Sequence, residues 1–427
     1  MLHLKDWRCF SVKQKLKSWL VIILAGMYFF YEFIQMNMFN SLDNTFQVTF
    51  ALNAMQIGLV SAFYFLADSI LLYPVGSILD RVSSKKMIMI GMLMCIFGTL
   101  MIASATNSWF LVGARFMAGL AAAFCLLSIL RLATQWFPAE KMGQVSGVVV
   151  TLGMLGGAVS QTPLTWMIER LGWRHALYDV AILGAVLMVL IGVIVKDAQS
   201  QNSFTDFRGA VKPNGVRPLK AIISNKHNWY NGLYVSTMNL PIMILAGLFG
   251  SNFMSQSYGF NALDASSISM MIFIGTIVGS TVLGLLSDYL KERRRLMKIF
   301  AWASLFLFII ILFGPKLSYV GYLLIFFVLG FVTAAQVISY PVAQELNSRR
   351  LSGAALGFIS VIIMALPMVL QPLTGWIMDL VHQGAAGVYV LRDYQYGLSL
   401  LVVGFVISIA CAYLLPETYG VNIDESN

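Results

Sequence analysis

Gly76-Ser-Ile-Leu-Asp80-Arg81-Val-Ser-Ser-Lys85-Lys86 separates two strongly apolar segments, 58–79 and 87–104. The stretch returns about half a chain later as Gly284-Leu-Leu-Ser-Asp288-Tyr-Leu-Lys291-Glu-Arg293-Arg294-Arg295, again between apolar segments. In each copy a glycine precedes an aspartate by four residues, so the two share a helix face where the helix leaves lipid. Basic residues follow at once, as in short loops held on the cytoplasmic side. Self-similarity at this period points to two like halves.

Composition agrees with that reading. Of 427 residues, 59% are hydrophobic and only 11% charged, whereas soluble domains carry about a quarter charged residues. Mean hydropathy is +0.78. The chain therefore reads as a polytopic protein whose main partner is the lipid bilayer. Its net charge of +9 does not mark a nucleic-acid binder, because the basic residues sit in short loops between apolar runs. Cys9, Cys95, Cys125 and Cys411 are scattered without CxxC or metal spacing, and point to neither a disulfide framework nor a metal site. The basic N-terminus resembles the start of a signal peptide, but the apolar run after it carries Glu32 and lacks a small-x-small cleavage site, so a retained first span is expected.

Segments of about 20 residues are needed to cross the hydrocarbon core. Twelve are expected, at about 18–40, 55–79, 87–105, 109–132, 143–167, 176–195, 229–254, 265–287, 297–314, 318–344, 353–379 and 396–415. The N-terminus and alternate loops hold Arg81, Lys85, Lys86, Arg131, Lys141, Arg349, Arg350 and the basic clusters at 196–226 and 291–298. The opposite loops hold only Arg170, Arg174, Lys316 and Arg392. Both termini are therefore expected in the cytoplasm. Residues 196–228 form the only long polar connection, with Gln199-Ser-Gln-Asn-Ser and Lys212-Pro-Asn-Gly-Val-Arg-Pro, and read as a turn-rich linker between bundles 1–195 and 229–427.

The repeat extends further. Gly143-Gln-Val-Ser-Gly147 matches Gly353-Ala-Ala-Leu-Gly357, and Gln161-Thr-Pro163-Leu-Thr-Trp166-Met-Ile-Glu169 matches Gln371-Pro372-Leu-Thr-Gly-Trp376-Ile-Met-Asp379. Small residues four apart let helices approach closely, and proline allows a bend. Two six-helix bundles of common ancestry follow.

The opening stretch resembles the loop signature of the major facilitator superfamily, G-x-L-a-D-R-x-G-R-K, with Gly76, Asp80, Arg81 and Lys85 in place, Ser83 for the usual glycine and Ser84 for the usual arginine. Trp136-Phe-Pro138-Ala-Glu-Lys-Met-Gly143 and Gly172-Trp-Arg174 carry the same likeness. The resemblance implies an all-α fold of twelve helices in two bundles related by a pseudo-two-fold axis. It also implies a cytoplasmic gate of Gly76, Asp80, Arg81 and Lys85 with the counterparts Gly284 and Asp288. The run Ala335-Gln336-Val-Ile-Ser-Tyr340-Pro341-Val-Ala-Gln344-Glu345-Leu-Asn347 is similar to metabolite importers, among them the phagosomal transporter branch, which takes amino acids and nucleosides.

Three ionisable groups lie well inside the expected spans: Glu32, Asp68 and Arg115. Each costs at least about 2.5–3.5 kcal/mol unless it meets a partner or a wet cavity. At ~1.5 Å per residue, Glu32 lies roughly 21 Å along span one and Arg115 roughly 9 Å along span four from the other face. In a ~30 Å core these depths nearly coincide, so an ion pair is expected. In the family both spans line the central cavity, and Arg115 with Gly119 fits its span-four pattern R-x-x-x-G. Glu32 is thus the expected proton site and Arg115 its partner, with a static structural pair as the alternative. Asp68 is open between a second proton site, an anchor for a substrate ammonium, and a hydrogen bond to Tyr64 or Ser69.

The expected cavity residues are Tyr28, Tyr31 and Gln35 around Glu32, with Asn239, Gln336, Tyr340 and Gln371 opposite. The expected function is proton-coupled import, by a symporter of the bacterial inner membrane, of a small polar metabolite, favouring an amino acid or a nucleoside. No cofactor beyond the proton gradient is expected, and the chain is expected to be a monomer. Drug or siderophore efflux is the alternative within transport, although the glycine run Gly153-Met-Leu-Gly156-Gly157 lacks the Gly-Pro of antiporters. A non-transporting sensor is a further alternative. An enzyme is not expected: HExxH and GxSxG are absent, and Ser83-Ser-Lys-Lys86 matches S-x-x-K only in a loop.

Overall fold

The structure, a computed structural model, describes residues 12–72, 75, 82–197, 217–348, 351–384 and 388–420. Those residues build helices and no strand. Twelve helical segments are long and apolar enough to cross a membrane. They are α1 (Val12–Phe50), α2 (Ala54–Leu72), α3 (Ser84–Ala103), α4 (Ser108–Trp136), α5 (Met142–Leu171), α6 (Trp173–Ile194), α7 (Lys226–Tyr258), α8 (Ala262–Leu290), α9 (Arg293–Phe313), α10 (Tyr319–Glu345), α11 (Ser352–Val381) and α12 (Leu391–Leu414). As expected, α1–α6 and α7–α12 form two bundles. Because each span reverses the chain, α1 begins and α12 ends on one side, here called the terminal face. The opposite side is the far face.

Short polar residues start the helices. Asn107 accepts from the Trp109 amide at the start of α4, Asn261 from that of Asp264 at α8 and Ser318 from that of Gly321 at α10, each satisfying an amide that the first helical turn leaves open. Ser83, which stands where the family signature has glycine, does the same for Lys86 at α3. Lys85 donates to the carbonyl of Gly192 at 2.6 Å, tying α3 to the last turn of α6, where a helix favours a cation.

Among the described residues four spans are interrupted within their length, one of them α5 at Ser160–Gln161, between the helices Met142–Val159 and Thr162–Leu171. α1 turns at Met38, between the helices Val12–Asn37 and Phe39–Phe50. α7 passes through a π-helix at Pro241–Phe249, and α10 through a 3₁₀ turn at Ala334–Ile338. Such departures free backbone carbonyls and cluster at functional sites. The repeat diverges at its prolines. Pro163 opens the second half of α5, whereas Pro367 and Pro372 lie inside the unbroken α11.

Two boundaries differ from the sequence reading. α1 runs to Phe50 rather than to about residue 40, because Phe39, Leu42 and Phe46 continue the buried face beyond the break. The stretch read as a turn-rich linker contains a helix at Arg217–Ser224. Its Ile222 is fully buried among Val235, Ala343, Ala355 and Ile359 of the C-terminal bundle. Trp229 donates to the carbonyl of Ile223 at 2.9 Å.

The bundles meet at the far face. Among the described residues, every hydrogen bond between them lies there. Asn40 donates to Ser251 at 2.8 Å and accepts from the Ser251 amide at 3.0 Å. Asn252 donates to Asp43 at 2.8 Å, and the hydroxyls of Thr162 and Ser267 share a bond of 3.0 Å. α2 and α11 come closest where their glycines face backbone: Gly58 lies on Gln371 and Pro372, and Gly375 on Ala54. Toward the terminal face the equivalent glycines of the repeat, Gly143, Gly147, Gly284 and Gly357, face open space. Among the described residues the two halves are thus joined at the far face and parted at the terminal face.

Candidate functional site

The break in α1 creates the centre of the site. At the break Met38 keeps helical angles and its amide still reaches the carbonyl of Ile34 at 2.9 Å, while the Asn37 side chain turns back to donate to the carbonyl of Phe33 at 2.9 Å. The freed carbonyls of Gln35 and Met36 take their donors from α4. Arg115 donates to Gln35 at 2.7 Å and to Met36 at 3.3 Å, and a third bond of 3.1 Å reaches the hydroxyl of Ser61 on α2. Its guanidinium lies 4.4 Å from the ring centre of Phe39 and 4.7 Å from that of Tyr64. A planar cation with several donors suits this mixture of carbonyls and aromatic faces.

The expected ion pair is not formed. Glu32 and Arg115 are both buried, at 2% and 1% exposure, yet no salt bridge joins them. Tyr64 stands between: its hydroxyl donates to the Glu32 carboxylate and its ring covers the guanidinium. Asp68 lies one turn further along α2, on the same face as Tyr64, with 4% exposure. Neither of its expected neutral partners, Tyr64 or Ser69, bonds to it, and among the described residues no donor or cation reaches its carboxylate. It sits within electrostatic reach of Glu32.

The other expected cavity residues are divided. Tyr28 donates to the carbonyl of Ala121 at 2.7 Å and fills the space beside Gly91. Tyr31 shares a bond of 3.3 Å with Thr99 and lies against Gly184. Both are therefore engaged within the N-terminal bundle, Tyr28 still within electrostatic reach of Glu32. Gln35 is buried and its amide makes no hydrogen bond. Gln371 donates to the carbonyl of Met243 in the π-helix at 2.7 Å, while its own oxygen has no partner. Asn239 caps the helix that precedes the π segment, Gln336 lies in the 3₁₀ turn, and Tyr340 is 40% exposed.

Around Tyr64 the seam between bundles is aromatic and thioether in character. Phe33, Met36 and Phe65 from the first bundle pack with Met243 from the second, and Met364 and Met368 of α11 lie against them. Phe29 meets Phe33 edge-on at 4.7 Å.

The gate residues Gly76, Asp80 and Arg81 lie outside the described residues. Lys85 is engaged with α6 as above, and Asp288 with Arg293 at 3.1 Å, while remaining 70% exposed. A linked set of contacts between the bundles stands at the far face. Asp379, from the end of α11, accepts from the first amides of α2, Ala54 at 3.2 Å and Met55 at 2.9 Å. Tyr389 donates to Asp379 at 2.5 Å and accepts from the Ala54 amide at 2.9 Å. Burial, with Asp379 beside it, raises the Tyr389 phenol above its ordinary range, so the hydroxyl stays a donor. The counterpart of Asp379 in the repeat, Glu169, is exposed.

Asp43, Asp379 and Tyr64 escaped the sequence reading as functional residues. Asp43 fell beyond the expected end of span one, although Phe39, Phe46 and Phe50 around it carry helical spacing. Tyr64 had a signal in its four-residue spacing from Asp68.

This architecture agrees with the comparison of sequences. The family model of the Major Facilitator Superfamily matches residues 22–372. The chain belongs to the major facilitator superfamily. Among curated members, the chain is 26% identical over 267 residues to the "Nitrite extrusion protein" of Bacillus subtilis (strain 168), covering 62% of this chain and 63% of that one. It is 23% identical over 375 residues to the "Membrane sensor protein UhpC" of Escherichia coli (strain K12), covering 82% and 83%. The matches to the first relatives thus span less than two thirds of those proteins' length. Among solved members, a bacterial homologue of the human lysosomal transporter Spinster, inward-facing and unoccupied, superposes with a TM-score of 0.73 at 15% identity, over 94% of this chain and 97% of that one. The likeness concerns the fold.

Proposed function

We propose that the chain is a proton-coupled secondary carrier of a small organic solute, working by alternating access between the two bundles. The observation that carries this reading is the group Glu32–Tyr64–Arg115, in which a buried carboxylate and a buried cation share one tyrosine. A carboxyl group takes up or releases a proton when its water access or its neighbours change. Tyr64 connects that event to the α1 break, since Arg115 holds the two carbonyls just before it, those of Gln35 and Met36. Glu32 is the proton site, Arg115 the fixed charge, and the parted terminal face with the joined far face is one of the two states of the cycle. Import, with proton and metabolite moving together, is the direction implied by the likeness of span ten to metabolite importers. Amino acids and nucleosides remain the first solutes to test.

The test is uptake into proteoliposomes under an imposed pH gradient, with and without Glu32→Gln. The variant should still equilibrate solute but lose accumulation against a gradient; accumulation at the native level would reject Glu32 as the proton site. Solute moving out as protons enter would reverse the direction and support efflux. A sensor reading is favoured by one finding, the match over most of the chain to a membrane sensor protein. It predicts ligand binding without accumulation of any solute.

A further inference from the structure

Two carboxylates and one guanidinium occupy the middle of the N-terminal bundle, and only one of the three is free. Arg115 gives its bonds to Gln35, Met36 and Ser61 and its faces to Phe39 and Tyr64. Glu32 holds the Tyr64 hydroxyl. Asp68, with 4% exposure, has no hydrogen-bond or ion-pair partner among the described residues. The groups within electrostatic reach of this pair of acids are Arg115, the phenol of Tyr28 and the thiols of Cys95 and Cys125. None of them except Arg115 brings positive charge. Arg115 can balance one carboxylate; if the other is ionised it needs a second cation, because an unpaired charge in this setting is costly.

Phe65, three residues before Asp68 on α2, belongs to a seam with Phe33, Met36, Met243, Met364 and Met368. Aromatic faces attract cations, and thioethers adapt to irregular apolar shapes. We propose that Asp68 anchors the ammonium group of an organic amine whose apolar body lies on this aromatic and thioether seam. The inference rests on the carrier reading and names its substrate class. Asp68 accepts charge-assisted hydrogen bonds from the ammonium, and the monovalent cation completes the charge balance. Anionic solutes are disfavoured, because both terminal nitrogens of the nearby base already serve backbone carbonyls and a hydroxyl, leaving only its Nε without a partner, and two acids stand beside it.

The experiment uses the purified full-length protein in nanodiscs and a series of phenylalkyl amines of increasing chain length. Carboxylates and neutral alcohols of matched size serve as controls. Thermal stabilisation reports binding, since a ligand of the folded state raises its melting temperature by mass action. Amines should stabilise and their carboxylate counterparts should not. Asp68→Asn, nearly isosteric, should lower amine affinity at least tenfold, and Phe65→Ala should lower it in proportion to the apolar length of the amine. A melting curve of each free variant establishes folding, and if Asp68→Asn does not fold, Phe65→Ala carries the test. Carboxylates binding better than amines, no binding by any amine, or amine affinity unchanged in the folded variants would each overturn the proposal. Proteoliposome accumulation separates the two readings. Asp68-dependent amine binding without accumulation leaves the site and removes the carrier, whereas accumulation of an anion or a sugar leaves the carrier and removes the amine site.

Discussion

Asp379 accepts from the amide nitrogen of Met55 at 2.9 Å, so the last turn of α11 caps the first turn of α2 across the seam. The cap satisfies amides that the helix start leaves open and places a negative charge at its positive end. Its removal should cost about 1–2 kcal/mol, a shift of about 5–30-fold in the balance of states. In Asp379→Ala, the reaction of an impermeant maleimide with Ser267→Cys, on a background without the four native cysteines, should speed up by about that factor. Unchanged labelling would mean that other contacts hold the far face.

The glycines make a paired prediction. A side chain at position 58 would place its Cβ 2.6 Å from the carbonyl oxygen of Gln371, and backbone has little room to give. Gly58→Leu should therefore disfavour the described state by about 1–3 kcal/mol and raise far-face labelling. Gly357→Leu, facing open space, should leave the stability of this state within about 0.5 kcal/mol. It should instead stop transport by obstructing closure of the terminal face. Stability from melting curves and turnover from uptake should thus separate in the second variant.

Arg115→Lys keeps the charge but replaces a planar fork with a single ammonium. It cannot serve Gln35, Met36 and Ser61 while covering both Phe39 and Tyr64. Leaving one buried carbonyl unsatisfied should cost about 1–3 kcal/mol, seen as a lower melting temperature, with uptake reduced at least tenfold. A lysine variant with native melting and native uptake would show that the charge alone suffices.

Tyr64→Phe separates the ring from the hydroxyl. The ring remains over Arg115, but Glu32 loses its donor, which should cost about 1–3 kcal/mol. The pH dependence of uptake should shift as well. Uptake with an unaltered pH profile would show that the Tyr64 hydroxyl takes no part in coupling.

Much of this architecture was legible before the coordinates. Apolar length and basic loops announced twelve spans in two bundles, because crossing lipid leaves the backbone few choices. The depth of Glu32 and Arg115 could be counted from helical rise, and both are indeed buried near one another. Their contact could not be counted, because it depends on side-chain direction and on the turn at Met38, which frees the carbonyls that Arg115 prefers. Tyr28 and Tyr31 were spaced to share the face of Glu32, but glycines on α3 and α6 offered them room inside the bundle. Asp379 looked like an ordinary polar end to span eleven; its role depends on α2 arriving from the other bundle.

The turn at Met38 divides the first span into two arms on one pivot. The inner arm carries Glu32 and belongs to its own bundle, while the outer arm carries Asn40 and Asp43, which grip the opposite bundle. Arg115 sits at the fulcrum. A small rotation there would swing the outer arm across the seam and loosen two of its fastenings together.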